Sequence, residues 1–196
     1  QYVFIGGPGS GKSTIGQFLS QVHRATILER APNSRSLSSV KKAIKAIRDR
    51  CQEEGFIWPN TPRYPFRIDL NQYAKSLATK NSKGGVDTLS QYIRNKISQD
   101  EEISHRQLLS WFEAFPCLLV FDGLDEVPTS ANREDVIQSI QRFLGDIRAR
   151  NANVLVIASS RPDGYRNEFD EVGVNHRYLL PLTKEQSLKC AESYVL

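Results

Sequence analysis

Runs of apolar residues along the chain predict the strands of a parallel sheet. The segments Tyr2–Ile5, 117–121 and 153–160 are largely apolar throughout, which is typical of central strands covered on both faces. Residues 64–70 alternate between apolar and charged side chains, so they predict a strand that is less buried than its neighbours. Residues 177–182, with the sequence RYLLPL, predict a last and shorter strand.

Apolar residues with helical spacing separate these strands. A first helix is predicted to begin near Gly11, with an apolar face formed by Ile15, Phe18, Leu19 and Val22. Four more helices are predicted at about residues 38–54, 89–97, 104–115 and 132–150, the third opened by a Ser-x-x-Gln capping box. A polar loop is predicted over residues 79–85. The alternation of strands and helices predicts one α/β domain over residues 1–196, with three layers and a mainly parallel sheet of about five strands.

Composition narrows the class of protein. The 196 residues are 39% hydrophobic and 24% charged, which is typical of one globular domain, and no apolar run approaches the roughly 18 residues of a membrane span. Three scattered cysteines indicate neither a disulfide framework nor a zinc site, so we expect a reducing, cytoplasmic compartment. The chain lacks methionine and begins inside a predicted strand, so we expect it to be a piece of a longer multidomain protein.

A glycine-rich loop follows the first predicted strand. Residues 6–13, GGPGSGKS, fit the pattern G-x-x-x-x-G-K-[ST] at every position, and strand, loop and helix are the context that identifies a P-loop. Glycines let backbone N–H groups turn around a polyphosphate at the N-terminus of a helix. Lys12 is expected to reach the β- and γ-phosphates, and the Ser13 hydroxyl to bind Mg²⁺. The predicted nucleotide-binding residues are Gly7, Pro8, Gly9, Ser10, Gly11, Lys12, Ser13 and Thr14.

An acidic cluster follows the apolar strand at 117–121. Asp122 ends this strand, where open α/β sheets bind their ligands, and its carboxylate is expected to hold the same Mg²⁺ as Ser13. Asp125 and Glu126 follow, and either could orient or deprotonate a water that attacks the γ-phosphate. The alternative is an acidic turn that caps the next helix.

Arg161 directly follows the strand predicted at residues 153–160. If this strand lies between the two strands that carry the glycine loop and Asp122, Arg161 faces the γ-phosphate and can act as a phosphate sensor. The alternative is a surface arginine at the end of a strand.

Four stretches follow one another along the chain: FIGGPGSGKST, YPFRIDLNQYA, LLVFDGLDEVP and VLVIASSRPDGY. In this order and at these separations they resemble a NACHT domain of the STAND class of P-loop NTPases, with bacterial members the most similar. The most specific of these features is Gly123 directly after Asp122, with acids at 125 and 126. The resemblance covers residue 1 to about residue 193.

The resemblance implies a STAND/AAA+-like P-loop fold, with Mg²⁺ at Asp122, a water handled by Asp125 or Glu126, and Arg161 as the sensor residue. It implies ATP/ADP and Mg²⁺ as cofactors, and slow hydrolysis that switches an attached effector in signalling or antiviral defence. The implied partners are effector and sensor domains of the same longer chain and, on activation, further copies of that chain. ATP is favoured over GTP.

Other functions remain as alternatives. A GTPase would carry an N-K-x-D motif after the acidic cluster, and the nearest text, PLTKEQ, lacks the aspartate; a small-molecule kinase would not normally carry the D-G-L-D-E run. A nucleic-acid-binding module is suggested by a pI near 9.0 and by Lys41, Lys42, Lys45 and Arg48 on one predicted helix. Because no aromatic residues alternate with these charges, we favour a solvated helix face.

Overall fold

In the part of the chain that the structure describes, five strands form one sheet in which every pairing is parallel. This computed structural model describes residues 1–31, 38–79, 85–98, 101–127, 133–169 and 173–188. The strands are β1 (Tyr2–Ile5), β2 (Tyr64–Asp69), β3 (Cys117–Asp122), β4 (Val154–Ser160) and β5 (Asn175–Tyr178). Their order across the sheet is β2-β3-β4-β1-β5. The prediction of an α/β fold with about five mainly parallel strands is confirmed, and the arrangement is compatible with a P-loop-like fold.

Of the helices in the described residues, six cover the two faces of this sheet. They are α1 (Lys12–Arg30), α2 (Ser38–Glu53), α3 (Leu70–Ala78), α4 (Leu89–Ile97), α5 (His105–Ala114) and α6 (Arg133–Ala149). The first two pack together on one face, where a small apolar cluster contains Leu118, Val120 and Ile157. The other four lie over the opposite face and enclose the main core. None of the helices in the described ranges combines the length and hydrophobicity of a membrane span.

Helix α1 contacts the sheet through small residues as well as through part of the apolar face predicted for it. Gly16, Ser20 and His23 are buried. Of the predicted face, Val22 is buried and Ile15, Phe18 and Leu19 are half-buried. A Cβ atom at Gly16 would lie 2.8 Å from Cγ1 of Val120, so the helix is too close to β3 for a larger residue. The predicted face is therefore confirmed at Val22 and Leu19, and close approach to β3 at Gly16 adds a small residue that the apolar pattern did not indicate.

The last strand begins and ends before the predicted position. It pairs with β1 from Tyr2↔Asn175 to Ile5↔Tyr178, and β1 ends where the glycine loop leaves the sheet. The N–H of Leu179 still donates to the carbonyl of Ile5 at 2.7 Å, after which the apolar segment leaves the ladder, and Leu180 is 81% exposed. Strand pairing, and not the apolar run at 177–182, therefore fixes the bounds of β5.

Helix α3 follows β2 without a loop and was not predicted. The side chain of Asp69 caps it by accepting a hydrogen bond from the backbone N–H of Gln72 at 2.9 Å. Of the polar loop predicted at 79–85, residues 80–84 lie outside the described residues. The capping box predicted at Ser104 is confirmed.

We predict opposite effects of alanine at two helical glycines. Gly16→Ala should lower the free energy of unfolding by about 1 kcal/mol, because the new methyl group overpacks against Val120 on β3. Gly145→Ala is the matched control, since Gly145 is exposed within α6 and a Cβ there meets nothing within 4 Å. It should raise the same free energy by roughly 0.5–1 kcal/mol through helix propensity. Urea denaturation measures both, and a stabilised Gly16→Ala protein would contradict the packing.

Candidate functional site

The sheet order brings the predicted site residues together at the C-terminal ends of the strands. Strand β4 lies between β1 and β3, so the glycine loop after β1, Asp122 at the end of β3 and Arg161 after β4 are neighbours. They line a cleft of about 290 Å³. The condition that the sequence left open for Arg161, a strand between the two motif strands, is therefore met.

The glycine loop is folded around its own lysine. Gly9 and Gly11 have φ of +73° and +81°, a left-handed conformation that favours glycine. The Lys12 ammonium donates hydrogen bonds to the carbonyl oxygens of Gly6 and Gly7 at 2.6 and 2.9 Å. Among the described residues, no side chain caps α1 at Gly11. The first N–H groups of this helix are thus available to a bound anion.

Asp122 is the most highly connected residue in the cleft. Its Oδ1 accepts hydrogen bonds from the hydroxyls of Ser13 at 2.9 Å and Ser159 at 2.7 Å, and its Oδ2 lies 2.6 Å from a guanidinium nitrogen of Arg67. Burial raises the pKa of this carboxyl, but the hydrogen bonds from Arg67, Ser159 and Ser13 and the charge of Arg67 outweigh it, and the net pKa lies below the usual value. Asp122 is therefore ionised at neutral pH.

Two partners of Asp122 were not predicted as site residues. Arg67 occupies a polar position of the alternating strand β2, and Ser159 lies one residue before the predicted end of the strand region at 153–160. Their types and positions are visible in the sequence, but that β2 and β4 both flank β3 is a property of the sheet order. The signal that could have found them is therefore topological.

The two acids after Asp122 have different environments. Asp125 lies 2.9 Å from Nε of Arg161 and also accepts the backbone N–H of Arg161 at 3.1 Å, so both of its oxygens face this residue. The side chain of Asp125 is only 9% exposed. Glu126 is exposed and lines the cleft. The geometry thus separates an acid that fixes Arg161 from an acid that can reach a substrate.

A buried arginine connects the turns that carry these groups. Arg133, at the start of α6, donates to the carbonyl of Leu124 at 2.6 Å and to that of Gly164, and its Nε donates to Glu168 at 3.1 Å. Residues 124–126 and 162–164 form short 3-10 turns, one carrying Asp125 and the other following Arg161. Arg133 and Glu168 thus form a clamp that holds the acidic turn against the arginine turn.

The basic helix α2 does not line the cleft. Lys41, Lys42 and Lys45 are exposed, and Lys45 pairs with Asp49 one turn later. Arg48 pairs with Glu29 and lies 4.8 Å above the ring of Trp58.

Other residues that can bind metals are dispersed. Within the ranges that the structure describes, no three His, Cys, Asp or Glu side chains cluster as a metal site. Cys51 and Cys117 are buried free thiols in different parts of the fold, and Cys190 lies outside the described residues. A Mg²⁺ at Ser13 and Asp122 would therefore need oxygen atoms from another molecule, such as a phosphate, to complete its ligands.

Comparison with known proteins identifies no family for this chain. No protein-family model matches the chain, and no curated protein matches it. The likeness to NACHT domains thus rests on the order and spacing of the motifs, and the chemistry of the site rests on its own residues.

We predict that the clamp depends on its charge. Glu168→Gln leaves Arg133 buried without a counter-ion and should lower the free energy of unfolding by about 3 kcal/mol. Glu113→Gln is the matched control: it breaks an exposed ion pair with Arg150 and should cost less than about 1 kcal/mol. Chemical denaturation of both variants tests this, and equal costs would show that Arg133 is held by the backbone carbonyls alone.

Proposed function

We propose that this chain is a Mg²⁺-dependent nucleoside triphosphatase of the P-loop class, with ATP favoured over GTP, that acts as a molecular switch. One observation supports the proposal most strongly. The Ser13 hydroxyl of the glycine loop donates to Asp122, 109 positions away in the sequence, at 2.9 Å. This pair joins the two motifs that P-loop proteins use to hold a metal ion and a polyphosphate.

The residues present fit both groups. The open glycine loop, the uncapped N-terminus of α1 and Lys12 suit a polyphosphate, while the Ser13 hydroxyl and the Asp122 carboxylate suit Mg²⁺. When bound, Mg²⁺ neutralises charge on the β- and γ-phosphate oxygens. Lys12 is held by backbone carbonyls of its own loop, which a phosphate can replace as a stronger, charged partner.

The remaining groups suit hydrolysis. Glu126 is the exposed carboxylate of the cleft and can accept the proton of an attacking water at its side-chain oxygen. Arg161 can stabilise negative charge that develops on the phosphate, and Asp125 is the positioning residue that fixes it. The position of β4 between β1 and β3 supports a STAND/AAA+-like sheet for this function.

The switch role follows from the resemblance to NACHT domains. We propose that exchange of ADP for ATP in this cleft controls attached effector and sensor domains and the assembly of several copies in signalling or defence. The clamp at Arg133 supports such a role, because one side chain joins the acidic turn and the arginine turn that both border the cleft. A change at the phosphates can thus reach α6 through few contacts.

Nucleic-acid binding is less well supported. Two of the four basic side chains on α2, Lys45 and Arg48, already pair with acids of this chain. Charge without stacking residues gives weak and non-specific attraction.

We predict that Lys12→Ala removes nucleotide binding and leaves the fold intact. Lys12 bonds to loop carbonyls at the surface of the cleft and not to the core, so the melting temperature should change little. The Kd for Mg²⁺-ATP should rise about 100-fold or more, as expected for lost charged hydrogen bonds. Isothermal titration calorimetry measures this, with Lys45→Ala on α2 as the control. An unchanged Kd would rule out the P-loop assignment.

We also predict a division of labour between the acids. Asp122→Asn should weaken binding only when Mg²⁺ is present, since Asp122 contacts Ser13 at the expected metal position. Glu126→Gln should leave binding unchanged and slow hydrolysis by roughly 10²–10⁴-fold, the usual contribution of a general base. Phosphate-release kinetics and binding titrations separate the two effects. Equal loss of binding in both variants would refute the division.

A further inference from the structure

An arginine occupies the outer oxygen of the carboxylate that we assign to Mg²⁺. Arg67 on β2 lies 2.6 Å from Oδ2 of Asp122, while Oδ1 is taken by Ser13 and Ser159. We propose that Arg67 and Mg²⁺ compete for the same carboxylate, so that Mg²⁺ must displace Arg67 from Asp122. Arg67 therefore sets how strongly the metal promotes nucleotide binding. This inference rests on the proposed function.

The sheet places Arg67 where it can do this. Arg67 is paired in register with Val120, and paired residues of parallel strands point to the same face of the sheet. Val120 and Asp122 are two residues apart on β3, so they share this face, which is the one that α1 covers. A long side chain at 67 thus crosses from the edge strand to the end of β3 along one face.

The exchange of cations needs little rearrangement. The side chain of Arg67 is 43% exposed, whereas that of Asp122 is 10% exposed. The guanidinium can therefore swing into water, where it is well solvated, without opening the core. Asp122 cannot leave, because β3 and the two serine hydroxyls hold it.

The charges of Arg67 and Mg²⁺ determine whether the two compete or cooperate at Asp122. A guanidinium and Mg²⁺ at the same carboxylate repel each other, so each weakens the other at Asp122. The opposite arrangement would have Arg67 bind a phosphate beside the metal. Arg67 does not line the cleft formed by the glycine loop, Asp122, Glu126 and Arg161, and it contacts Asp122 from the side of β2. Competition is therefore the arrangement that the geometry supports.

The test measures nucleotide affinity with and without metal. For each protein, the Kd of a fluorescent ADP derivative is measured in EDTA and in excess Mg²⁺, and the quantity compared is the ratio of the two Kd values. Arg67→Gln removes the competing charge, and Arg67→Lys keeps it. Arg150→Gln is the matched control, since Arg150 pairs with Glu113 and its side chain is 41% exposed, but it lies outside the cleft.

The expected result is a ratio of EDTA to Mg²⁺ Kd values that rises about fivefold or more in Arg67→Gln, the lower end of typical coupling between competing ligands. The ratio should rise less in Arg67→Lys, and in Arg150→Gln it should equal that of the parent. An unchanged or smaller ratio in Arg67→Gln would overturn the inference alone, because nucleotide binding by the parent would persist. If the parent binds no nucleotide in either buffer, the proposed function is wrong, and the inference is wrong with it.

Discussion

A carboxylate that is 10% exposed needs hydrogen-bond donors, and Asp122 takes them from three different elements. Ser13 comes from the first turn of α1, Ser159 from β4 and Arg67 from β2. Loss of any one of these elements would remove a hydrogen-bond donor from the buried Asp122 carboxylate. The order of the sheet, the direction of α1 and the register of β2 are therefore all tied to one side chain at the end of β3.

Two further ion pairs extend this arrangement away from Asp122. Arg161 is fixed by Asp125 at the surface of the cleft, and Arg133 pairs with Glu168 beneath it. The Arg161–Asp125 pair holds a cation where the charge of a bound phosphate is expected. The Arg133–Glu168 pair fixes the acidic turn and the arginine turn. Such preorganised charge costs no rearrangement when a substrate binds, which is the condition for electrostatic stabilisation. Arg67 lies beside the cleft, and its half-exposed side chain pairs with Asp122 from the side of β2.

The sequence predicts those parts of the fold that local patterns determine. Continuous apolar runs located β1, β3 and β4, and the glycine loop and Asp122 could be named from spacing alone. The bounds of β5, the small-residue face of α1 at Gly16 and the clamp at Arg133 could not, because each depends on which elements lie side by side. From the sequence alone, a charged residue in a strand or helix is predicted to be exposed to solvent. Only the sheet order shows that Arg67 contacts a buried carboxylate.

The central claim is that the glycine loop, the end of β3 and the end of β4 form one nucleotide site. Hydrogen–deuterium exchange of the full chain, with and without Mg²⁺-ATP, tests this directly. We expect protection of the amides in residues 7–14 together with those near residues 122–126 and 159–161, because backbone N–H groups there become covered or fixed. No change on adding nucleotide, or protection confined to the basic helix α2, would contradict the claim.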